Sequence, residues 1–174
     1  MSDLELKQLC ESGLYEDAFN QIVQAYHQRL YWHIRKMVFN HEDANDVLQN
    51  TLLKAWTGLA QFRWESLLFT WLYRIATNEV LSFLKKNKSK EPLEIEARVE
   101  ADTTYFSGDN MQLALQKAIA QLPDKQRLVF NMRYFDEIKY EDMSDILGTS
   151  IGALKASYHH AAQKVEKTLK ELLL

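Results

Sequence analysis

The side chains able to do covalent or metal chemistry are few in this chain, and their spacing favours neither. The five histidines and 24 acids include no H-E-x-x-H arrangement, and no glycine-rich stretch is built to cradle a phosphate. His159 and His160 are adjacent, so on a helix they point about 100° apart and do not readily ligate one ion together. Ser66 and Cys10 have no base or triad partner nearby. No catalytic residue, metal site, cofactor or small-molecule substrate is therefore expected. Recognition fits the spacing better. In YEDMSDILGTSIGALKASYHH, residues 140–160, Ser144 sits where one helix must be approached closely, Gly148 supplies the left-handed residue that ends it, and Ser150 caps a second helix. Leu154 is the buried knob between them, and Gly152, Ala153, Lys155, Ala156, Ser157, His159 and His160 around it are small, basic or hydrogen-bonding, as a surface for a DNA groove requires. The alternative is an ordinary helical hairpin, which has no need of small residues at its outer contact points.

The elements that must hold this motif are helices. With 174 residues, 47% hydrophobic, and only five Gly and two Pro, the chain is predominantly helical, and no strand pattern competes. Apolar residues at helical spacing predict one long helix or two joined ones from Tyr15 to Val38, ending near Asn40, and another from about Glu42 to Leu59 that buries Ala44, Leu48, Leu52, Ala55, Trp56 and Leu59. A third runs from after Ser66 to Lys86, with Leu68, Trp71, Leu72 and Ile75 inward and Arg74 and Asn78 opposite. Residues 87–110 lose the period, gather acids and read as a linker. Four more helices follow, over Met111–Gln121, Asp124–Tyr134, Tyr140–Leu147 and Ser150–Leu172, with Pro123 starting the second of them. The division is 1–87, 88–110 and 111–174: two small helical domains in an all-α chain, joined by a flexible acidic linker.

Charge is unevenly placed. The net charge is −3, yet residues 63–90 carry six bases against Glu65 and Glu79, and residues 150–170 carry four lysines against Glu166. Two basic regions separated by an acidic stretch suit a bipartite nucleic-acid binder, although ordinary solvated helix faces would look alike. Within 42–59, Asp46, Gln49, Asn50 and Leu53 fall on one stripe, which places an apolar residue in a polar, acidic row. One cysteine excludes an internal disulfide, no apolar run is long enough to span a bilayer, and the acidic first residues are unlike a secretory signal, so a cytoplasmic location and no membrane insertion are expected.

Four ordered blocks, EDANDVLQNTLLKAW (42–56), FRWESLLFTWLYRIATNEVLSFLKK (62–86), LPDKQRLVFNMRYF (122–135) and the turn motif through AAQKVEKTL (161–169), resemble the extracytoplasmic-function group of bacterial sigma factors, the sigma-70 initiation subunits of RNA polymerase. The resemblance implies that Asp43, Asp46, Gln49, Asn50 and Leu53 dock on the β′ clamp of core polymerase, with the β flap as a second contact. It implies that Arg63, Trp64, Glu65 and Ser66 hold a base extruded from the −10 element, with Arg74, Asn78, Lys85 and Lys86 along the backbone. It also implies that the helix at 151–163 enters the major groove of the −35 element. Further partners so implied are promoter DNA and an anti-sigma protein. The chain departs from the family at Trp64, where glycine is usual, and at Leu67, where a small polar residue is common. Ala153, Ala156, Ser157 and His160 stand where threonine, serine and arginine are more usual, which implies weaker phosphate contact. Trp64 could stack on a base or pack on the helix, and Trp71 belongs to the core. A different reading of the motif is a dimeric DNA-binding regulator that needs no polymerase.

Overall fold

A computed structural model describes residues 1–88 and 110–174 as eight α-helices, with no strand among the described residues. The expected linker therefore lies, apart from its two end residues, outside the described part. No described helix is long and apolar enough to cross a membrane.

The first helix, α1 (Asp3–Glu11), is one the sequence reading did not assign, since it took those residues only for their acidity. Its signal is a capping box: the Ser2 hydroxyl accepts from the Glu5 amide at 3.3 Å, and the Glu5 carboxylate accepts from the Ser2 amide at 2.8 Å. Leu6 and Cys10 bury its inner face. Helix α2 (Tyr15–Val38) follows, then α3 (His41–Leu59), whose N-cap Asn40 accepts from the Asp43 amide, and α4 (Leu68–Lys86). Leu30, Ile34, Met37, Ala44, Leu48, Leu59, Leu68, Leu72 and Val80 meet in their common core. Each fully buried large side chain there contributes about 1.5–3 kcal/mol relative to exposure.

The second group comprises α5 (Asn110–Ala120), α6 (Asp124–Tyr134), α7 (Tyr140–Leu147) and α8 (Ile151–Leu173). Ala118, Ile119, Leu122, Phe130, Ala161 and Val165 form its own core, with Phe130 stacked between Tyr134 and Tyr158. The two groups also pack on each other, α2 against α6 and α4 against α7. Leu128, Val129, Met132, Met143, Ile146 and Leu154 are continuous with the core of the first group.

Polar contacts complete that junction. Helix α2 ends at Phe39, which is left-handed at φ 58° without being glycine, and its last carbonyls need partners. Those partners come from α6: Asn131 Nδ2 donates to the Lys36 carbonyl at 3.4 Å, and Arg127 Nη2 to the Met37 carbonyl at 3.3 Å. Arg127 is 2% exposed, lies 5.0 Å from the Phe39 ring centroid, and also donates to the Leu122 carbonyl and to Asp124. Burial pulls its guanidinium below the ordinary value, and Asp124 opposes that shift. Beyond α6, Asp136 forms an ion pair with Lys36 and approaches His33 Nδ1 to 3.5 Å. Burial alone would raise the Asp136 carboxyl, but the contacts with His33 and Lys36 outweigh it and hold the group below its ordinary value.

Candidate nucleic-acid interface

The motif at 140–160 forms the expected turn. Gly148 takes φ 64° and ψ 29°, a left-handed conformation that a side chain would strain, and closes α7 through its amide to the Ser144 carbonyl. The Ser144 hydroxyl donates to the Thr149 carbonyl at 2.7 Å, which explains why a small hydrogen-bonding residue stands there. Ser150 Oγ accepts from the Ala153 amide at 3.2 Å and starts α8, and Leu154 is buried against α7. Gly152, Ala153, Lys155, Ala156, His159 and His160 are exposed on α8. Ser157 is half-buried and lines a cavity of about 370 Å³ with Leu81 of α4 and Leu128 of α6. Lys155 Nζ lies 5.7 Å from the Tyr140 ring centroid, so its charge is held over α7. The rings of His159 and His160 are 6.0 Å apart, and no cluster of three metal-ligating side chains occurs among the described residues.

The second surface is the loop before α4. Arg63 and Glu65 are exposed, while Trp64 and Ser66 are half-buried. Trp64 adopts φ 58°, a conformation that costs a non-glycine residue on the order of 1–2 kcal/mol. What holds it is packing: its ring lies 4.8 Å from that of Phe62, which in turn stacks on Trp71 at 4.6 Å. Gly58 makes room for that column, since a Cβ there would stand 3.1 Å from Trp71 Cζ2. The indole of Trp64 thus packs on Phe62, and Trp71 and Ile75 are half-buried, with Leu68 and Leu72 taking the innermost places. Asn78, Lys85 and Lys86 are exposed along α4. Arg74 is exposed too but donates to the Asp145 carbonyl of α7 at 2.6 Å, so the second helix group occupies it.

The third surface is on α3. Asp46, Gln49, Asn50 and Leu53 are exposed and Asp43 is half-buried, with Leu53 at 62% exposure. Trp56 corrects the sequence reading: expected in the core, it is 42% exposed and continues the row beyond Leu53. Ala55 and Leu59 fill the core below it, and Trp56 meets Phe19 of α2 edge-on at 5.1 Å. Leu52 is likewise only half-buried.

Sequence reasoning missed Asp3. Its Oδ2 accepts from the Leu68 amide at 2.7 Å, at the very start of α4. The Ser2-x-x-Glu5 box was the signal that a helix begins there, although nothing in the spacing tied it to residue 68.

Two helical groups, the second built on a helix-turn-helix and both presenting exposed cations, have the makeup of a DNA-binding protein. The chain belongs to the sigma-70 family, in its extracytoplasmic-function branch: Sigma-70 region 2 matches residues 22–90 and Sigma-70, region 4 matches residues 112–165. It is 28% identical over 171 residues to the ECF RNA polymerase sigma factor SigW of Bacillus subtilis, covering 90% of this chain and 91% of that one. It is 27% identical over 172 residues to the RNA polymerase sigma-H factor of Pseudomonas aeruginosa, covering 90% and 88%. Among solved structures it resembles the sigma factor RpoE in complex with the anti-sigma factor NepR from Bartonella quintana, with TM-score 0.68, 25% identity, and coverage of 87% and 96%. CnrH in complex with the cytosolic domain of CnrY shares the fold, with TM-score 0.73, 22% identity and 97% of each chain covered. As a sigma factor, the chain is a transcription initiation factor that directs RNA polymerase to promoters, a regulatory role.

Proposed function

We propose that residues 1–87 bind core polymerase and the −10 element, that 88–110 link, and that 111–174 read the −35 element. Asp43, Asp46, Gln49, Asn50 and Leu53 dock on the β′ clamp, where charge steers association and Leu53 adds apolar burial at the centre. The observation that carries this reading is the exposure of Leu53 together with Trp56, two large apolar side chains on neighbouring turns of α3 beside an acidic and amide row, where a merely solvated face carries at most a lone one. The loop Arg63, Trp64, Glu65 and Ser66 captures a base freed on melting, and Asn78, Lys85, Lys86 and a released Arg74 hold the backbone. The exposed face of α8 enters the −35 groove with Lys155 as its one cation between residues 151 and 163, and the β flap supports this half of the chain. Likeness to RpoE, seen in complex with NepR, makes an anti-sigma factor a further partner. Co-purification with core polymerase tests the docking face. Joint substitution of Asp46 and Gln49 by Ala should abolish capture while leaving the helical content unchanged, and undiminished capture would remove α3 from the interface.

A further inference from the structure

The start of α4 has no cap of its own. Leu67 occupies the N-cap position in the extended geometry such a residue adopts, at φ −60° and ψ 143°, but its side chain carries no acceptor and is 60% exposed. The first-turn amides of α4 would therefore face the preceding loop without a side-chain oxygen. Asp3 supplies one from 65 residues away, its Oδ2 accepting from the Leu68 amide at 2.7 Å. That carboxylate is available because the N-terminus of α1 is served by the reciprocal Ser2 and Glu5 bonds, which do not use it. Leu6 and Cys10 anchor α1 in the core, so Asp3 is held at the start of two helices, where both dipoles favour a negative charge.

We infer that Asp3 is a positioning residue for promoter opening: the N-terminal helix acts as a cap in trans that fixes the register of α4 and, through Leu67, the exit of the loop formed by residues 63–66. This rests on the proposed role of that loop at the −10 element. Trp64 makes the need physical. Its left-handed backbone lies three residues before Leu67 and is held from one side by Phe62, so a frayed α4 start would let the strained loop relax out of its geometry.

The test uses full-length chain with core polymerase on genomic fragments selected by the wild-type holoenzyme. Strand opening is read by permanganate reactivity, and the Leu68 amide by hydrogen exchange in the free protein. Asp3→Ala should speed Leu68 exchange and slow opening, each by roughly fivefold, the equivalent of one lost cap, with polymerase capture unchanged. Asp3→Asn keeps the acceptor oxygen and should stay within about twofold of wild type, which guards against a simple folding failure. Leu67→Ser, whose hydroxyl would accept from the Thr70 amide and cap α4 in cis, should restore opening in the Asp3→Ala background while leaving Leu68 exchange fast. Unchanged opening in Asp3→Ala, or loss that Leu67→Ser fails to restore, overturns the inference. Arg63→Ala then separates the causes: if it slows opening while Asp3→Ala does not, the cap in trans is wrong, and if both are silent, the loop's promoter role is wrong.

Discussion

Replacing Asp136 by Asn should loosen the junction between the two helix groups and remove its sensitivity to acid. The side chains of Asp136 and Lys36 are 13% and 10% exposed, so the ion pair they form is largely desolvated, and His33, with no exposed side-chain surface, stands 3.5 Å from the second oxygen. Asn keeps the shape and one acceptor oxygen but leaves the Lys36 ammonium without its counter-charge. Breaking one side of a buried pair costs about 3–5 kcal/mol, and the lower end applies here because the pair retains some solvent. About 3 kcal/mol is roughly a hundredfold in the equilibrium between closed and separated groups.

The pH dependence has a definite sign. Because the folded carboxyl sits below its unfolded value near 3.8, its contribution is present in full above that value and is lost as the pH falls through the lower folded one. Wild-type stability should therefore decline in acid more steeply than that of Asp136→Asn. Thermal melts from pH 7 to pH 3 give the global measurement. The indole N–H resonance of Trp32, whose side chain lines the same cavity as Phe135 and Asp136, gives the local one. Identical melting temperatures at pH 7, or parallel acid slopes for the two proteins, would refute the argument that this pair holds the groups together.

Arg127→Met should cost about 3 kcal/mol or more in thermal unfolding, because the guanidinium donates to both the Met37 and the Leu122 carbonyls and no methionine can replace either bond. At the left-handed Trp64, glycine should be the better replacement: both substitutions lose the Phe62 contact, but Trp64→Gly should melt above Trp64→Ala by about 1 kcal/mol, and the reverse order would show that φ 58° carries no strain. Leu53→Asp should leave chemical denaturation within about 0.5 kcal/mol of wild type while weakening polymerase capture at least tenfold in a titration. Lys155→Ala should lower the salt slope of holoenzyme binding to promoter DNA by about one, and an unchanged slope would mean that Lys155 touches no phosphate.

Where neighbours along the chain decide the structure, the sequence reveals it. The left-handed Gly148 and the Ser150 cap follow from local backbone needs, so the turn motif was legible to the residue. Helix α1 is signalled in the same local way, by the reciprocal capping pair Ser2 and Glu5. The position of Trp56 is not so signalled. It lies at helical spacing from Leu52 and Leu59, yet the core at that level is filled by Ala55 and Leu59, and the indole is left at the rim beside Phe19. The bonds from Asn131 to Lys36 and from Arg127 to Met37 join positions 95 and 90 residues apart, and no periodicity encodes them. The same holds for Arg74, whose place on a basic stripe was readable while its capture by Asp145 was not. The sequence could thus nominate exposed candidates on α3, α4 and α8, but it could not tell which of them the fold itself would occupy.

That occupation constrains how the proposed activity can proceed. In one and the same arrangement Asp46, Gln49, Asn50 and Leu53 are exposed, and Arg74 is bonded to the Asp145 carbonyl. A partner shifts an equilibrium between closed and separated groups only by the difference in its affinity for the two. The α3 row is available without separation, so docking there alone supplies no such difference and leaves the Lys36–Asp136 pair and the α4–α7 contact intact. Arg74 becomes free for a phosphate only if some second contact is stronger when the groups are apart. Under the proposed reading, that contact is the simultaneous engagement of α8 and α4 with promoter DNA, which favours separation to the extent that the separated groups bind it more tightly than the closed ones. Opening then draws on binding energy from both halves at once, and a polymerase-bound factor without promoter DNA or a second polymerase contact would keep its two groups together.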